Sequence, residues 1–317
     1  MRTWLSERLG LKLPVVLAPM AGVAGGRLAA AVSAAGGLGM VGAGHEATPD
    51  WIRQQCEVAS SPGAPFGVGL IAWALERNPE QLSAALEHRP ALVSVSYGPY
   101  ERFLAPIREA GALCATQVGT LAEALAAERA GAQVIVARGG EGGGHGRNDV
   151  ATLPLLQTVL EHTATPVLAA GGIATARGLA AVLAAGAEGA WVGTAFLACS
   201  EAQTAPAARQ RLLQATETET AYGRVFDVAL GLGWPPEYGG RALRNRFFDT
   251  WAGREAELAR DERAGQQLRA ARERGDDYDT AYIYAGQGVG MLARERTAAE
   301  VLAEFAHADE LLGRLQL

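Results

Sequence analysis

An α/β fold, a (β/α)8 or TIM barrel with a small, mainly helical inserted domain, is predicted by three observations. Eight apolar runs of strand length recur along the chain, helix-like segments rich in Ala, Leu and Glu lie between them, and the spacing is nearly regular. Most runs begin roughly 20 to 30 residues apart, which accommodates one strand and one crossover helix; the crossover forces parallel pairing, and eight such units close a barrel. A chain of 317 residues is long enough for that barrel and an insertion.

The runs, in order, are residues 15–20, 39–44, 66–72, 92–97, 113–118, 134–139, 167–172 and 190–196. The helices between them have readable ends. In residues 120–130 (TLAEALAAERA) Thr120 is a capping residue, Glu123 stands three positions on, and Gly131 terminates the helix. The interval between Val134 and Val167 is longer than the rest, and the excess is GGEGGGHGR, residues 139–147. In a barrel this loop lies on the C-terminal face, where active sites sit.

Beyond Phe196 the pattern changes. Residues 200–220 are polar and helix-prone, 224–251 gather aromatics, arginines and turn residues, 255–276 read as a strongly charged helix, and 282–292 (YIYAGQGVGML) are apolar and glycine-rich again before a final helix over 298–315. This divides the chain into a cofactor-binding barrel, residues 1–200 and 281–317, and a small substrate or lid domain, 201–280. No internal repeat stands out beyond the βα period.

Composition narrows the function classes. Hydrophobic residues at 49% and charged residues at 20% fit a globular protein and exclude a disordered or fibrous one. The net charge is −6 and Lys and Arg form no basic stripe, so no nucleic acid is expected as partner. The N-terminal MRTWLSERLG lacks a secretory apolar core, and Glu188 and several glycines interrupt the longest apolar stretch, which predicts a cytoplasmic protein with no membrane contact. Cys56, Cys114 and Cys199 are far apart and show no metal-ligand spacing, so buried reduced thiols are expected, with no disulfide and no metal.

The glycine-histidine loop carries the chemistry. Glycines let a backbone approach a flat ring or a phosphate closely, and His145 is the nearby side chain that titrates near neutral pH. A neutral imidazole suits proton abstraction from carbon beside an electron-withdrawing group. Glu141 either orients it or is solvated. His45, after GAG at the end of the second run, is its rival; His88, His162 and His307 fall near helix ends and read as surface or capping residues. Phosphate sites in such barrels use the loops after the seventh and eighth strands. Here those loops hold Gly171 and Gly172, with Thr175 as a cap, and Gly193 with Thr194. Tyr222, Trp234, Tyr238, Arg241 and Arg244 read chiefly as packing and salt-bridge residues of the small domain, with walls of the pocket as the alternative. No GxGxxG follows the first strand and there is no Walker sequence.

Taken in order, APMAGV (18–23), AVSAAGGLG (31–39), PFGVGL (65–70), the glycine-histidine loop, AAGGIA, VGTAF and YAGQGVG resemble the nitronate monooxygenase family, once called 2-nitropropane dioxygenases. Each motif is weak alone. The ordered set is specific for a wider group of FMN barrels that includes flavin-type enoyl-acyl-carrier-protein reductases. The resemblance implies FMN held without a covalent link. Its phosphate would lie at Gly172, Gly193 and Thr194, its ring near Met20, Gly69, Gln117 and Gly143, with Gly171, Arg138 and Gln287 of the AGQ segment also at the cofactor and His145 as catalytic base. It also implies oxidation of an alkyl nitronate or nitroalkane with O2 to a carbonyl compound and nitrite; reduction of an enoyl thioester by NAD(P)H is the alternative. A homodimer is compatible with it. Three positions depart from the common pattern: Gly69 stands in place of Asn, Arg138 in place of Gln, and Ser96 in place of a histidine. Arg138, if it faces the ring, would favour anionic reduced flavin through its charge.

Overall fold

The computed structural model describes residues 1–314. Eight parallel strands form the barrel: β1 (Val15–Leu17), β2 (Gly39–Gly42), β3 (Phe66–Ile71), β4 (Leu92–Ser96), β5 (Leu113–Val118), β6 (Val134–Arg138), β8 (Val167–Ala170) and β9 (Gly189–Val192). They pair in the order β1-β9-β8-β6-β5-β4-β3-β2. A parallel bridge between Val16 and Leu38 brings the two ends together, with the Leu17 amide donating to the Leu38 carbonyl at 2.9 Å. Seven of the eight predicted runs contain their strand, and β9 begins one residue before its run. The observed strands mostly stop short of the predicted C-terminal ends, because those last residues leave the ladder and turn into the loops over the barrel mouth.

Burial on both faces explains the near-continuous apolar runs. Inward-facing Val16, Met40, Leu92, Leu113, Val134, Val136 and Leu168 pack in the lumen. Their outward neighbours, among them Val15, Val41, Val93, Cys114 and Ile135, pack under the helices. A short first helix, α1 (Trp4–Leu9), places Leu5 against the inward set. The helix after β5, α7 (Leu121–Ala130), begins at Thr120, whose side chain accepts from the Glu123 amide, and ends at Gly131 with φ 85°. Those are the caps its sequence announces.

Three expectations need correction. The glycine-histidine loop is not wholly irregular: Gly144–Gly146 form a strand, β7, that pairs antiparallel with β11 (Gly239–Leu243), itself paired with β10 (Thr220–Gly223). The insertion is mainly helical, as expected, and adds two strands that complete a sheet begun by the barrel loop. The charged segment 255–276 is two helices, α13 (Glu255–Leu258) and α14 (Glu262–Arg274), because Asp261 caps the second by accepting from the Ala264 amide. The final helix divides at His307 into α15 (Ala298–Ala306) and α16 (Ala308–Gly313). Residue 315, the predicted end, lies outside the described residues. α15 packs on α2 (Gly26–Ala34) and α9 (Ala176–Ala184), and so fills the last place in the outer ring. Among the described residues no helix is long and apolar enough to cross a membrane.

Candidate active site

A cavity of about 800 Å³ opens at the C-terminal ends of the barrel strands. That volume is in the range of small-molecule and cofactor sites. Gly171, Gly172, Gly193 and Thr194 line one part of it, and Met20, Gly69, Gln117, Arg138 and Gly143 another, together with His145. Gln287 departs from expectation. Its side chain is exposed and does not line the cavity, because its backbone N–H is drawn to the Glu141 carbonyl at 3.0 Å as the chain enters the 3-10 turn Gln287–Met291. Tyr284 and Gly288 of the same segment line the cavity instead.

Glycine is required at several of these positions. Gly171 and Gly172 have φ of 107° and 69°, which side chains rarely adopt. A Cβ on Gly143 would lie 2.5 Å from the Gly286 nitrogen and 2.6 Å from the Ala285 carbonyl carbon, so the loop fits against residues 285–286 only without a side chain. Gly69 faces Pro19, 2.2 Å from where its Cβ would be, so the Asn of the common pattern has no room here.

The loop is rigidly tethered. The Arg138 guanidinium is buried and donates to the carbonyls of Gly142 at 2.7 Å, Gly144 at 3.0 Å and Arg147 at 3.0 Å. Burial holds its pKa below the usual arginine value. Its donors are directed into the loop, so Arg138 shapes the backbone that carries His145. Arg241 donates to the Gly140 carbonyl at 2.7 Å and to Asn148 at 2.7 Å, and Tyr222 to the Gly146 carbonyl at 2.9 Å. Tyr97 donates to the His145 carbonyl at 3.0 Å from a strained backbone, φ 69°. Ser96, the third departure from the common pattern, accepts from the Gln117 amide at 2.9 Å.

His145 is nearly buried, at 9% side-chain exposure. Its Nε2 lies 2.9 and 3.1 Å from the two carboxylate oxygens of Asp227, which is 2% exposed. One face of the imidazole is stacked on Trp234, with centroids 3.5 Å apart and planes within 2°. The Tyr284 ring meets it edge-on at 5.1 Å. Burial and the Asp227 charge push the Tyr284 phenol well above its ordinary value, so it stays protonated.

Glu141 is not the histidine's partner. Its carboxylate accepts from the Thr152 backbone N–H and hydroxyl, both at 2.9 Å. It thereby caps α8 (Thr152–His162), whose own N-cap residue, Ala151, has no side chain to do so. The acid that does meet His145 was missed in the sequence. Asp227 lies on α11 (Val225–Leu230), a lone acid among the core residues Val225 and Phe226; that isolation in an apolar helix is the signal that could have found it. His45 also lines the cavity, 31% exposed and 3.6 Å from Glu46, while His162 and His307 are exposed near helix ends and His88 is partly buried after a helix end. Of the aromatics and arginines weighed as walls, Trp234 alone lines the cavity; Tyr222, Tyr238, Arg241 and Arg244 serve packing and pairing.

The residues present fit a flavin. The cavity runs from the glycine turns after β8 and β9 to His145, and two polar groups on its walls, Trp191 Nε1 and Thr204 Oγ1, are buried without a hydrogen-bond partner among the described residues. Thr175 caps α9 by accepting from the Gly178 amide, so the helix N-terminus, with its unpaired N–H groups, follows the Gly171-Gly172 turn directly. Among the described residues no group of three or more His, Cys, Asp or Glu is placed to hold a metal.

Fold and site together define an α/β-barrel enzyme with a cofactor-sized cavity under a buried imidazole. The chain belongs to the nitronate monooxygenase family, whose model matches residues 2–307; the family is one of oxidoreductases and implies a flavin. It is 33% identical to the nitronate monooxygenase npaC of Metarhizium robertsii, over 92% of this chain and 90% of that one. It is 36% identical to a Mycobacterium tuberculosis protein, (3aS,4S,5R,7aS)-5-hydroxy-7a-methyl-1-oxo-octahydro-1H-indene-4-carboxyl-CoA dehydrogenase, over 68% of this chain; the match spans only 61% of that relative's length. The solved structure of FabK from Thermotoga maritima superposes with a TM-score of 0.87 at 28% identity, covering 100% of this chain and 99% of that one.

Proposed function

We propose that the protein is an FMN-dependent oxidase of alkyl nitronates, consuming O2 and forming a carbonyl compound and nitrite, with His145 as the base when a neutral nitroalkane is the substrate. The observation that carries this reading is the continuity of one cavity from the Gly172 and Thr194 turns to the imbedded His145 ring. Family membership supports the same chemistry.

Each group has a part in it. Backbone N–H groups at Gly172, Gly193 and Thr194 and the N-terminus of α9 would hold the phosphate, as a positive φ at Gly172 and the absence of a side chain allow. Met20, Gly69, Gln117 and Gly143 line the cavity and would surround the ring. Bound FMN supplies the electron acceptor and the reaction with O2. His145 accepts the α-proton of the nitroalkane; the electron pair stays on the nitronate. Trp234 and Tyr284 exclude water from the imidazole. Residues 201–280 would form the substrate and lid side of the cavity, with Trp234 and Asp227 as their contributions beside the base.

The test has two stages. Heat-released cofactor should chromatograph as FMN, and purified protein should take up O2 with propionate 3-nitronate without NADH. NADH consumption with an enoyl thioester and no nitronate turnover would transfer the protein to the reductase reading. His145→Asn should lower turnover of neutral nitroalkane by about 10²-fold or more and affect preformed nitronate far less, since general-base catalysis contributes about 10² to 10⁴. Equal loss on both forms would remove the base role.

A further inference from the structure

We propose that Asp227 is a positioning residue that fixes the tautomer of His145, holding the proton on Nε2 and leaving Nδ1 as the acceptor. The proposal deepens the reading of His145 as base and rests on it for its kinetic consequence, though not for its structural one.

The argument starts from burial. Asp227 is 2% exposed, and a carboxylate removed from water needs a donor. The His145 ring nitrogen supplies one, with Nε2 2.9 and 3.1 Å from the two oxygens. An ionised carboxylate only accepts, so Nε2 must carry the hydrogen. In a neutral imidazole the other nitrogen then has the free lone pair. Nδ1 has no protein partner among the described residues, and His145 lines the cavity.

The surroundings hold the pair in register. Trp234 covers one face of the imidazole at 3.5 Å, and Tyr97 fixes the backbone carbonyl of the same residue. β7 and β11 pair His145 with Gly240, where a Cβ would lie 2.7 Å from the Tyr284 ring; the missing side chain lets Tyr284 close over the dyad. Asp227 itself sits on α11, whose Gly231 cap (φ 66°) and core neighbours Val225 and Phe226 fix the helix. Imidazole and carboxylate come from different parts of the chain, 82 positions apart, and meet on rigid elements.

The chemical step follows. The substrate C–H bond breaks, an N–H bond forms at Nδ1, and the electron pair remains on the departing nitronate. The imidazolium keeps its Nε2–H on Asp227, whose negative charge stabilises the positive charge that the step creates. Asparagine at 227 would present an amide whose N–H2 can donate to Nε2 and draw the proton to Nδ1, where it blocks abstraction.

Tautomers are read directly by long-range ¹H–¹⁵N NMR of histidine-labelled holoenzyme. There are five histidines, and the His145 signals are those lost in His145→Asn. In the neutral form the wild type should show the Nε2–H tautomer, and Asp227→Asn should show Nδ1–H or a mixture. In parallel, Asp227→Asn should lower kcat for neutral nitroalkane by about 10- to 10⁴-fold, the upper figure being the effect of the same exchange in the serine-protease triad. KM should stay within about twofold, and Asp227→Glu should restore part of the rate. A wild-type Nδ1–H tautomer overturns the proposal even if no variant folds, and so does an unchanged tautomer in a folded Asp227→Asn. If the tautomer shifts as stated but His145→Asn turns over neutral nitroalkane normally, the base reading fails and the positioning role stands. A fall in kcat with no tautomer change, or with equal loss of flavin, assigns Asp227 to structure alone.

Discussion

Arg138 is a buried cation whose close partners are backbone carbonyls rather than a carboxylate. Each carbonyl it satisfies would otherwise be desolvated without a donor, at a cost of about 1–3 kcal/mol. Arg138→Gln should therefore lower Tm by several degrees and speed flavin loss, read by thermal shift and by fluorescence of released cofactor. Retained Tm and retained flavin would show that the loop keeps its form without the guanidinium. Gly172→Ala tests the phosphate turn at the same scale. The site has open space for a methyl, the nearest atom being Glu141 Cβ at 3.8 Å, so the penalty is the positive φ alone, about 1–2 kcal/mol. Flavin affinity should fall about tenfold; an unchanged titration would place the phosphate elsewhere. Residue roles were legible in the sequence where one residue type has a single use. Glycines at strand ends and a histidine in a glycine loop are of that kind. Glu141, Asp227 and Arg138 were not, because a carboxylate or guanidinium takes its meaning from whichever partner the fold delivers.

At the scale of elements the sequence was most informative where burial and period agree. The barrel strands are buried on both faces, so their runs are continuous, and Thr120 and Gly131 mark α7 at both ends. β7 escaped notice because three residues, Gly144–Gly146, carry no periodic pattern; their pairing depends on β11, nearly a hundred positions later. Glu128, on α7, ties that helix to the turn before β8 by accepting from the Ala164 and Thr165 amides at 2.8 and 3.0 Å, which lowers its pKa from the usual 4.5. A carboxylate depressed in the folded state stabilises it above the unfolded value, and that contribution is lost as pH falls below about 4.5. Glu128→Gln should lower Tm by about 1–2 °C at pH 7, with the difference from wild type shrinking as the pH falls below 4.5. A difference that persists in acid would assign it to packing.

For the molecule as a whole, the three thiols report on integrity. Cys56, Cys114 and Cys199 are buried, and burial pushes Cys56 and Cys199 up to about 12 and raises Cys114 as well. Native protein should leave a thiol reagent such as Ellman's unreacted at pH 8, and denaturant should expose all three; fast labelling of the native form would reveal an opening of the barrel wall. The β7-β11-β10 sheet carries a consequence for any attempt to recombine this protein with its kin. The imidazole hangs from a strand of the barrel's own sixth loop, while its carboxylate, its stacking indole and its neighbouring strand all come from the insertion. A chimaera that exchanges residues 201–280 as a cassette would cut through the reaction centre rather than around it. Only crossovers that transfer residues 139–147 together with the insertion should yield active hybrids.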